Sequence, residues 1–227
     1  VESEIPNEGD DENSTVLGVD LGIEQIAVTS TRIFWSGDYL THRRREYERV
    51  RGELQRTGTE SAHRTIERMG GRETRWAEDS LHRISKAIVY EAITHGYDTI
   101  AFEELTGYTR ADAGRKTFHT WVFRRLYDYT AHKTKAEGIE VTQVEAAYTS
   151  TRCSKCGMTL EENRSSQATF CCQKCGYEVN ADYNAAKNIG FRLLRAGQTS
   201  PHGGATRYLA LKSGTLNVNG GYSPASE

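Results

Sequence analysis

The feature that most constrains this chain is a pair of cysteine knuckles, Cys153-Ser-Lys-Cys156-Gly and Cys172-Gln-Lys-Cys175-Gly, with fifteen residues between them. Two residues between cysteines let one tight turn present both thiolates to a single ion, and the glycine after each pair permits a sharp backbone reversal. The spacing is that of a zinc ribbon. Four soft ligands fill a tetrahedral shell and leave no open position, so Zn2+ held by Cys153, Cys156, Cys172 and Cys175 is expected to be structural. A disulfide or redox dithiol is the competing reading, but a secreted framework spreads its pairs along the chain, and here all five cysteines lie between Cys153 and Cys175. Cys171 is one residue out of register and reads as a spare thiol.

Around the knuckles the pattern is that of a mixed α/β sheet. Val16-Leu-Gly-Val-Asp20 reads as a first strand, and Ile26-Ala-Val28 and Ile33-Phe-Trp35 follow at hairpin spacing. From Thr41 to about His95 the chain is charged and broken by apolar residues at helical spacing, with interruptions expected at Gly52, Gly58 and Gly70-Gly71. Leu81, Ile84, Ser85, Ile88 and Ala92 mark the buried stripe of its last helix. A strand at Thr99–Glu103, a helix from about Thr120 to Glu137 stopped by Gly138, a strand at Ile139–Val144 and a helix from Ala181 to about Arg195 complete the order. The expected division is an acidic flexible tail at 1–15, a main domain formed by 16–147 and 179–196, a zinc insert at 148–178, and a flexible tail at 197–227.

The charge balance of 29 Lys+Arg against 31 Asp+Glu, net −2, does not advertise a nucleic-acid binder, although six of the acids lie within Val1 to Thr15. No run approaches the roughly 18 apolar residues of a membrane span. No membrane association and an intracellular, cytoplasmic location are therefore expected. The stretch from Arg43-Arg44-Arg45 to Arg75 is a candidate phosphate-binding face, but Glu46, Glu48, Glu53, Glu60, Glu67 and Glu73 interleave with its arginines, which favours a solvated face of intrahelical ion pairs. Trp121, Phe123 and Tyr127 fit a core better than a base-stacking platform, and His82 has no partner at ligand spacing.

Three carboxylates stand apart. Asp20 ends a strand on the face of Val16 and Gly18, and Glu103 ends another on the face of Thr99 and Ala101. Asp182 lies four residues before Ala186 and seven before Ile189, on the apolar face of the last helix. Each has a plain alternative: a solvated strand end for the first two, and a helix-start acid favoured by the macrodipole for the third. Together they are able to meet at one edge of the sheet. Clustered carboxylates repel unless a cation offsets them, and hard oxygen ligands suit Mg2+ or Mn2+. Two such ions are able to orient a water and stabilise the leaving oxygen in phosphodiester cleavage.

Read in order, Gly18-Val-Asp20-Leu-Gly-Ile, Ile100-Ala-Phe-Glu103-Glu-Leu, Tyr148-Thr-Ser-Thr-Arg-Cys153-Ser-Lys-Cys156-Gly and Asn180-Ala-Asp182-Tyr-Asn-Ala-Ala-Lys-Asn-Ile189 resemble the TnpB (OrfB) proteins of insertion sequences, which are similar to the type V CRISPR effectors. The resemblance runs from about Val16 to Leu194. It implies a RuvC-like domain of the RNase H fold, with a zinc ribbon between its second and third acidic motifs, that cuts DNA under the guidance of an RNA. It makes Asp20, Glu103 and Asp182 the catalytic, divalent-metal-binding acids in chain order and leaves Glu104 non-catalytic. Asn184, Ala185, Ala186 and Asn188 match the helix that supports the third acid, while Asn180 and Ala181 depart from the usual Asp-Arg. Full-size members carry an extensive amino-terminal portion before the first motif, where this sequence has Val1 to Thr15. The expected function is thus a metal-dependent DNA endonuclease of a transposable element, with DNA and a guide RNA as partners. Guided targeting is expected to need a separate protein partner or self-association. The alternative is a truncated, catalytically silent nucleic-acid-binding module.

Overall fold

The computed structural model describes residues 15–104 and 115–196, together with two short strands at 214–216 and 222–224. Its centre is a five-stranded sheet in the order β3-β2-β1-β4-β5, from β1 (Val16–Asp20), β2 (Gln25–Thr29), β3 (Phe34–Ser36), β4 (Thr99–Glu103) and β5 (Glu140–Val144). The first three form an antiparallel meander, and β4 and β5 add in parallel to β1, giving a mixed sheet. Between β3 and β4 run α1 (Asp38–Thr57) and α2 (Glu60–His95); α3 (Arg115–Thr134) precedes β5. After β5 come a short β6/β7 ribbon (Thr169–Cys171 and Glu178–Asn180) and α4 (Ala181–Ala196), then a second ribbon of β8 (Gly214–Leu216) and β9 (Tyr222–Pro224).

Near-continuous apolar runs make β1 and β4 because both faces of the sheet are covered. Alternation divides them. Leu17, Val19, Ile100 and Phe102 enter the larger core beneath α2 and α3, with Leu81, Ile88, Ala92, Val122 and Leu126. Val16, Ala101 and Val144 point to the other face and meet Ile189 and Leu193 of α4. The expected stripe of α2 is buried as Leu81, Ser85, Ile88 and Ala92, and Trp121, Tyr127 and Tyr129 pack against the same core.

Several expected boundaries are corrected. Only Gly58, at φ 65°, breaks the long helical segment; α1 continues through Gly52, and α2 runs unbroken through Gly70-Gly71 to His95. A mid-helix glycine costs about 1 kcal/mol, which the packing of a 36-residue helix readily absorbs. The helix expected to reach Glu137 ends at Thr134, and a turn carries the chain to Gly138, at φ 69°. Within 197–227 the described residues are β8 and β9, paired antiparallel with Leu216 opposite Tyr222. The rest of that tail, and the amino-terminal one up to residue 14, fall outside the described residues.

Candidate metal centres and carboxylate cleft

The two knuckles repeat one geometry. Gly157 donates to the Cys153 carbonyl and Gly176 to the Cys172 carbonyl, both at 2.9 Å; Cys153 donates to the Met158 carbonyl and Cys172 to the Tyr177 carbonyl, again at 2.9 Å. Both reversals use glycine at positive φ, 77° at Gly157 and 65° at Gly176, as the spacing implied. The four sulfurs all lie within 4.8 Å of one another, with Cys153 to Cys175 at 3.8 Å and Cys156 to Cys172 at 3.5 Å. Burial pushes the Cys153 and Cys156 thiols up, whereas the backbone N–H groups of Cys175 and Lys174, acting against burial, draw Cys172 down to about 7. Four converging soft donors fit a tetrahedral divalent ion. Cys171 pairs instead across the β6/β7 ribbon with Glu178. Buried Asn163 joins the two halves: its amide donates to the carbonyls of Thr151 and Met158, and its oxygen accepts from Gln173 N–H at 2.9 Å.

The same insert is bolted to α4. Asn184 accepts from Ser154 N–H at 3.0 Å and donates to the Arg152 carbonyl at 2.7 Å, while Asn188 donates to the carbonyls of Thr149 and Arg152. Both asparagines are fully buried, so these bonds have no competition from water. Arg192, a turn further on, donates to the carbonyls of Glu145 and Ala147. At the other end of α4, the Asn180 side chain accepts from Tyr183 N–H at 3.0 Å, an N-cap that satisfies an orphan donor of the first turn.

α4 crosses β1 at Gly18. A methyl group there would lie 2.0 Å from the Ala186 carbonyl oxygen and 2.7 Å from the Gly190 nitrogen, so the absent side chain is what lets the helix lie against the strand. That contact places the first turn of α4 beside the carboxyl end of β1, where Asp20 projects from the α4 side of the sheet. Glu103 projects from the neighbouring strand on the same side.

The three acids line one cleft of about 320 Å3, shared with Glu24, Thr149, Ser150, Arg164, Gln167 and Phe123 among others. Burial, then the charges of Glu103 and Asp182, hold Asp20 well above the usual carboxylate range, and Arg164 opposes them. Burial also raises Glu103, against a Thr149 hydroxyl donating at 3.3 Å and the charges of Arg192 and Arg164. Asp182 is raised by burial, with Arg164 opposing and Glu24 adding to the shift. Among the described residues only the four cysteines meet the tight 4.8 Å mutual spacing; the carboxylates form a wider, open set. A cleft of hard oxygen donors whose charges repel one another fits divalent cations such as Mg2+, which offset that repulsion.

Arg164 is the site residue that sequence reasoning missed. It extends from the insert to within 3.6 Å of the Asp182 carboxylate while donating to the Gln167 carbonyl at 3.0 Å. It lies between the knuckles with no periodicity to mark it, and only the docking of the insert on α4 brings it to the acids. Of the other candidates, Phe123 is buried in the core and also edges the cleft. His82 stacks on Tyr129 at 3.8 Å and lies 3.1 Å from Lys133 Nζ, away from the cleft lining.

A mixed five-stranded sheet flanked by helices, with an acid from β1, β4 and the final helix on one side and a four-cysteine insert before that helix, defines an RNase H-like protein of the RuvC type. The "Cas12f1-like, TNB domain" family matches residues 123–189. The chain is 35% identical over 191 residues, 77% of its length, to 44% of the CRISPR-associated endodeoxyribonuclease Cas12f1 of Sulfoacidibacillus thermotolerans. It is 30% identical over 183 residues, 76% of its length, to 58% of a TnpB-like protein of Aquifex aeolicus. Its fold resembles that in a cryo-EM structure of a Cas12f1–sgRNA–target DNA complex, with a TM-score of 0.63 and 23% identity over 83% of this chain and 51% of that one. The chain is thus similar to TnpB-like proteins and to the related type V CRISPR effectors. It spans about half the length of the curated relatives it matches.

Proposed function

We propose that this chain is the nuclease portion of a transposon-associated DNA endonuclease. The observation that carries the proposal is the single cleft lined by Asp20, Glu103 and Asp182, three acids from distant parts of the sequence, each raised by burial and with the charges of the other two raising Asp20 further. Asp20, Glu103 and Asp182 would hold Mg2+ or Mn2+. Bound there, such ions activate water and stabilise the charge that develops in phosphodiester cleavage. Thr149 orients the Glu103 carboxylate, and Arg164 is positioned to meet a phosphate oxygen entering beside Asp182. Four thiolate ligands leave no open position, so Zn2+ held by Cys153, Cys156, Cys172 and Cys175 would be structural, tying together the two knuckles that flank the segment carrying Arg164. Relatives named as RNA-guided or CRISPR-associated DNA endonucleases support DNA as the substrate and a guide RNA as a partner of the whole protein.

The test is cleavage of single-stranded DNA by the full chain with added Mg2+, compared with Asp20→Ala. The expected result is cleavage that the substitution reduces by at least about 100-fold, since the metal site loses a ligand. Equal cleavage by both proteins refutes the assignment. DNA bound but cut by neither leaves the second reading, a catalytically silent nucleic-acid-binding module.

A further inference from the structure

The arginine-rich helices separate into two populations that the sequence did not distinguish. On α1 four of the six guanidinium groups are paired: Arg43 with Glu46, Arg49 with Glu53, and Arg44 and Arg51 both with buried Glu73 at 2.6 and 2.8 Å, while Arg45 and Arg56, exposed and without a carboxylate partner among the described residues, stand eleven positions apart. On α2 the pattern changes. Arg64 is paired with Glu60, and Arg83 with Asp79. Between these pairs Arg68, Arg72 and Arg75 are exposed and have no carboxylate partner among the described residues.

Their spacing of four and three residues puts these arginines on one stripe of the helix, with Arg64 one turn before. The buried residues of this part of α2, Ala62, Glu73, Ala77 and Leu81, occupy the opposite side. At 1.5 Å per residue the stripe from Arg64 to Arg75 extends roughly 16 Å. One strand of a duplex presents a phosphate for about every 3.4 Å of axis, so roughly five phosphates of one strand lie alongside the three arginines without a carboxylate partner and Arg64, which Glu60 also holds. Gly71 falls among them on the helix surface; a methyl group there would meet only Arg75 Nη1, at 3.5 Å. No packing demand therefore explains a residue that costs a helix interior about 1 kcal/mol, whereas a missing side chain between guanidinium groups leaves room for a backbone to approach. From Arg64 to Arg75 no aromatic residue is interleaved, so the stripe offers unpaired bases no ring to stack on.

We infer that the Arg64–Arg68–Arg72–Arg75 stripe of α2 is a docking surface for the sugar–phosphate backbone of a nucleic-acid duplex. It lies on a different element from the carboxylate cleft and reads no sequence, because guanidinium–phosphate contacts position a duplex without identifying its bases. The inference rests on the nuclease reading only for the class of partner; the surface does not need a working cleft.

The experiment measures the affinity of the full chain for a random-sequence DNA duplex across a salt series, in an Asp20→Ala background so that cleavage plays no part. The triple substitution Arg68→Gln, Arg72→Gln, Arg75→Gln is compared with the control Arg43→Gln, Arg49→Gln. Each lost phosphate contact reduces the slope of log affinity against log salt by about 0.9, so the triple variant should be shallower by about 2.7. Equivalently, between about 50 and 200 mM salt the parent should lose roughly 40-fold more affinity than the variant. The control should keep the parental slope, and circular dichroism should show all three proteins equally helical. If the triple variant misfolds, the single Arg72→Gln change should still remove about 0.9 from the slope. A parental slope in the triple variant overturns the inference. So does a loss confined to single-stranded DNA, which would move the surface to unpaired strands.

Discussion

Gly18→Ala tests the contact on which the geometry of the cleft depends. The added methyl would stand 2.0 Å from the Ala186 carbonyl oxygen and 2.7 Å from the Gly190 nitrogen, both backbone atoms that no rotamer change moves. Restoring an ordinary separation of about 3.4 Å requires α4 to retreat by roughly 1.4 Å from β1, carrying Asp182 with it. Overpacking of this kind costs about 1–3 kcal/mol, and a clash with helix backbone belongs at the upper end. At roughly 2–4 °C per kcal/mol for a chain of this size, the melting temperature should fall by about 6–12 °C. Gly52→Ala is the matched control, because a methyl there meets nothing within 4 Å on α1 and should be neutral or stabilising by up to about 1 kcal/mol. The assay is thermal unfolding of both variants, followed by Mg2+-dependent cleavage well below the lower melting point. Gly18→Ala is expected to lose activity beyond what its folded fraction explains. A melting temperature and cleavage rate equal to the parent's would show that α4 is not held where the strand glycine places it, and the argument for a converged site would fall with it.

Two further outcomes follow from the electrostatics and from the buried amides. Asp20, Glu103 and Asp182 are all raised in the folded state, so the native protein binds more protons than the unfolded chain; stability without divalent ions should fall as pH rises from the usual carboxylate range through the raised values. Melting curves taken upward from the usual carboxylate range should show this decline, flattened by added Mg2+ or by Asp20→Asn; a profile unaffected by either change would refute the buried, raised carboxyls as its source. Asn184→Ala removes the acceptor for Ser154 N–H and one donor to the Arg152 carbonyl, costing about 1–3 kcal/mol per group left unpaired. Hydrogen exchange at the Ser154 amide should accelerate while amides of β1 and β4 stay protected, and equal acceleration throughout would mean that the insert does not loosen separately.

Much of this protein was legible in the chain itself. Alternation along Val16–Asp20 and Thr99–Glu103 assigned each acid to a face, and the offset of Asp182 from Ala186 and Ile189 turned it toward the sheet, because a period of two or of 3.6 fixes which side chains share a surface. The knuckle spacing and the glycines after it prescribed a four-sulfur cluster, since that geometry closes within a few residues. Arg164, the asparagine clamp of Asn184 and Asn188, and the close approach at Gly18 carry no such mark. Each is defined by a partner well outside its own element, and no local period encodes that distance. The same holds for the arginines: sequence placed Glu beside Arg throughout 43–75, but only the packed helices decided that Glu73 turns inward to hold Arg44 and Arg51, leaving Arg68, Arg72 and Arg75 without a carboxylate partner among the described residues. Local repeats determined the elements and their faces; the choice among competing partners at the surface and in the cleft was made by tertiary contact, where burial sets which charges can be satisfied.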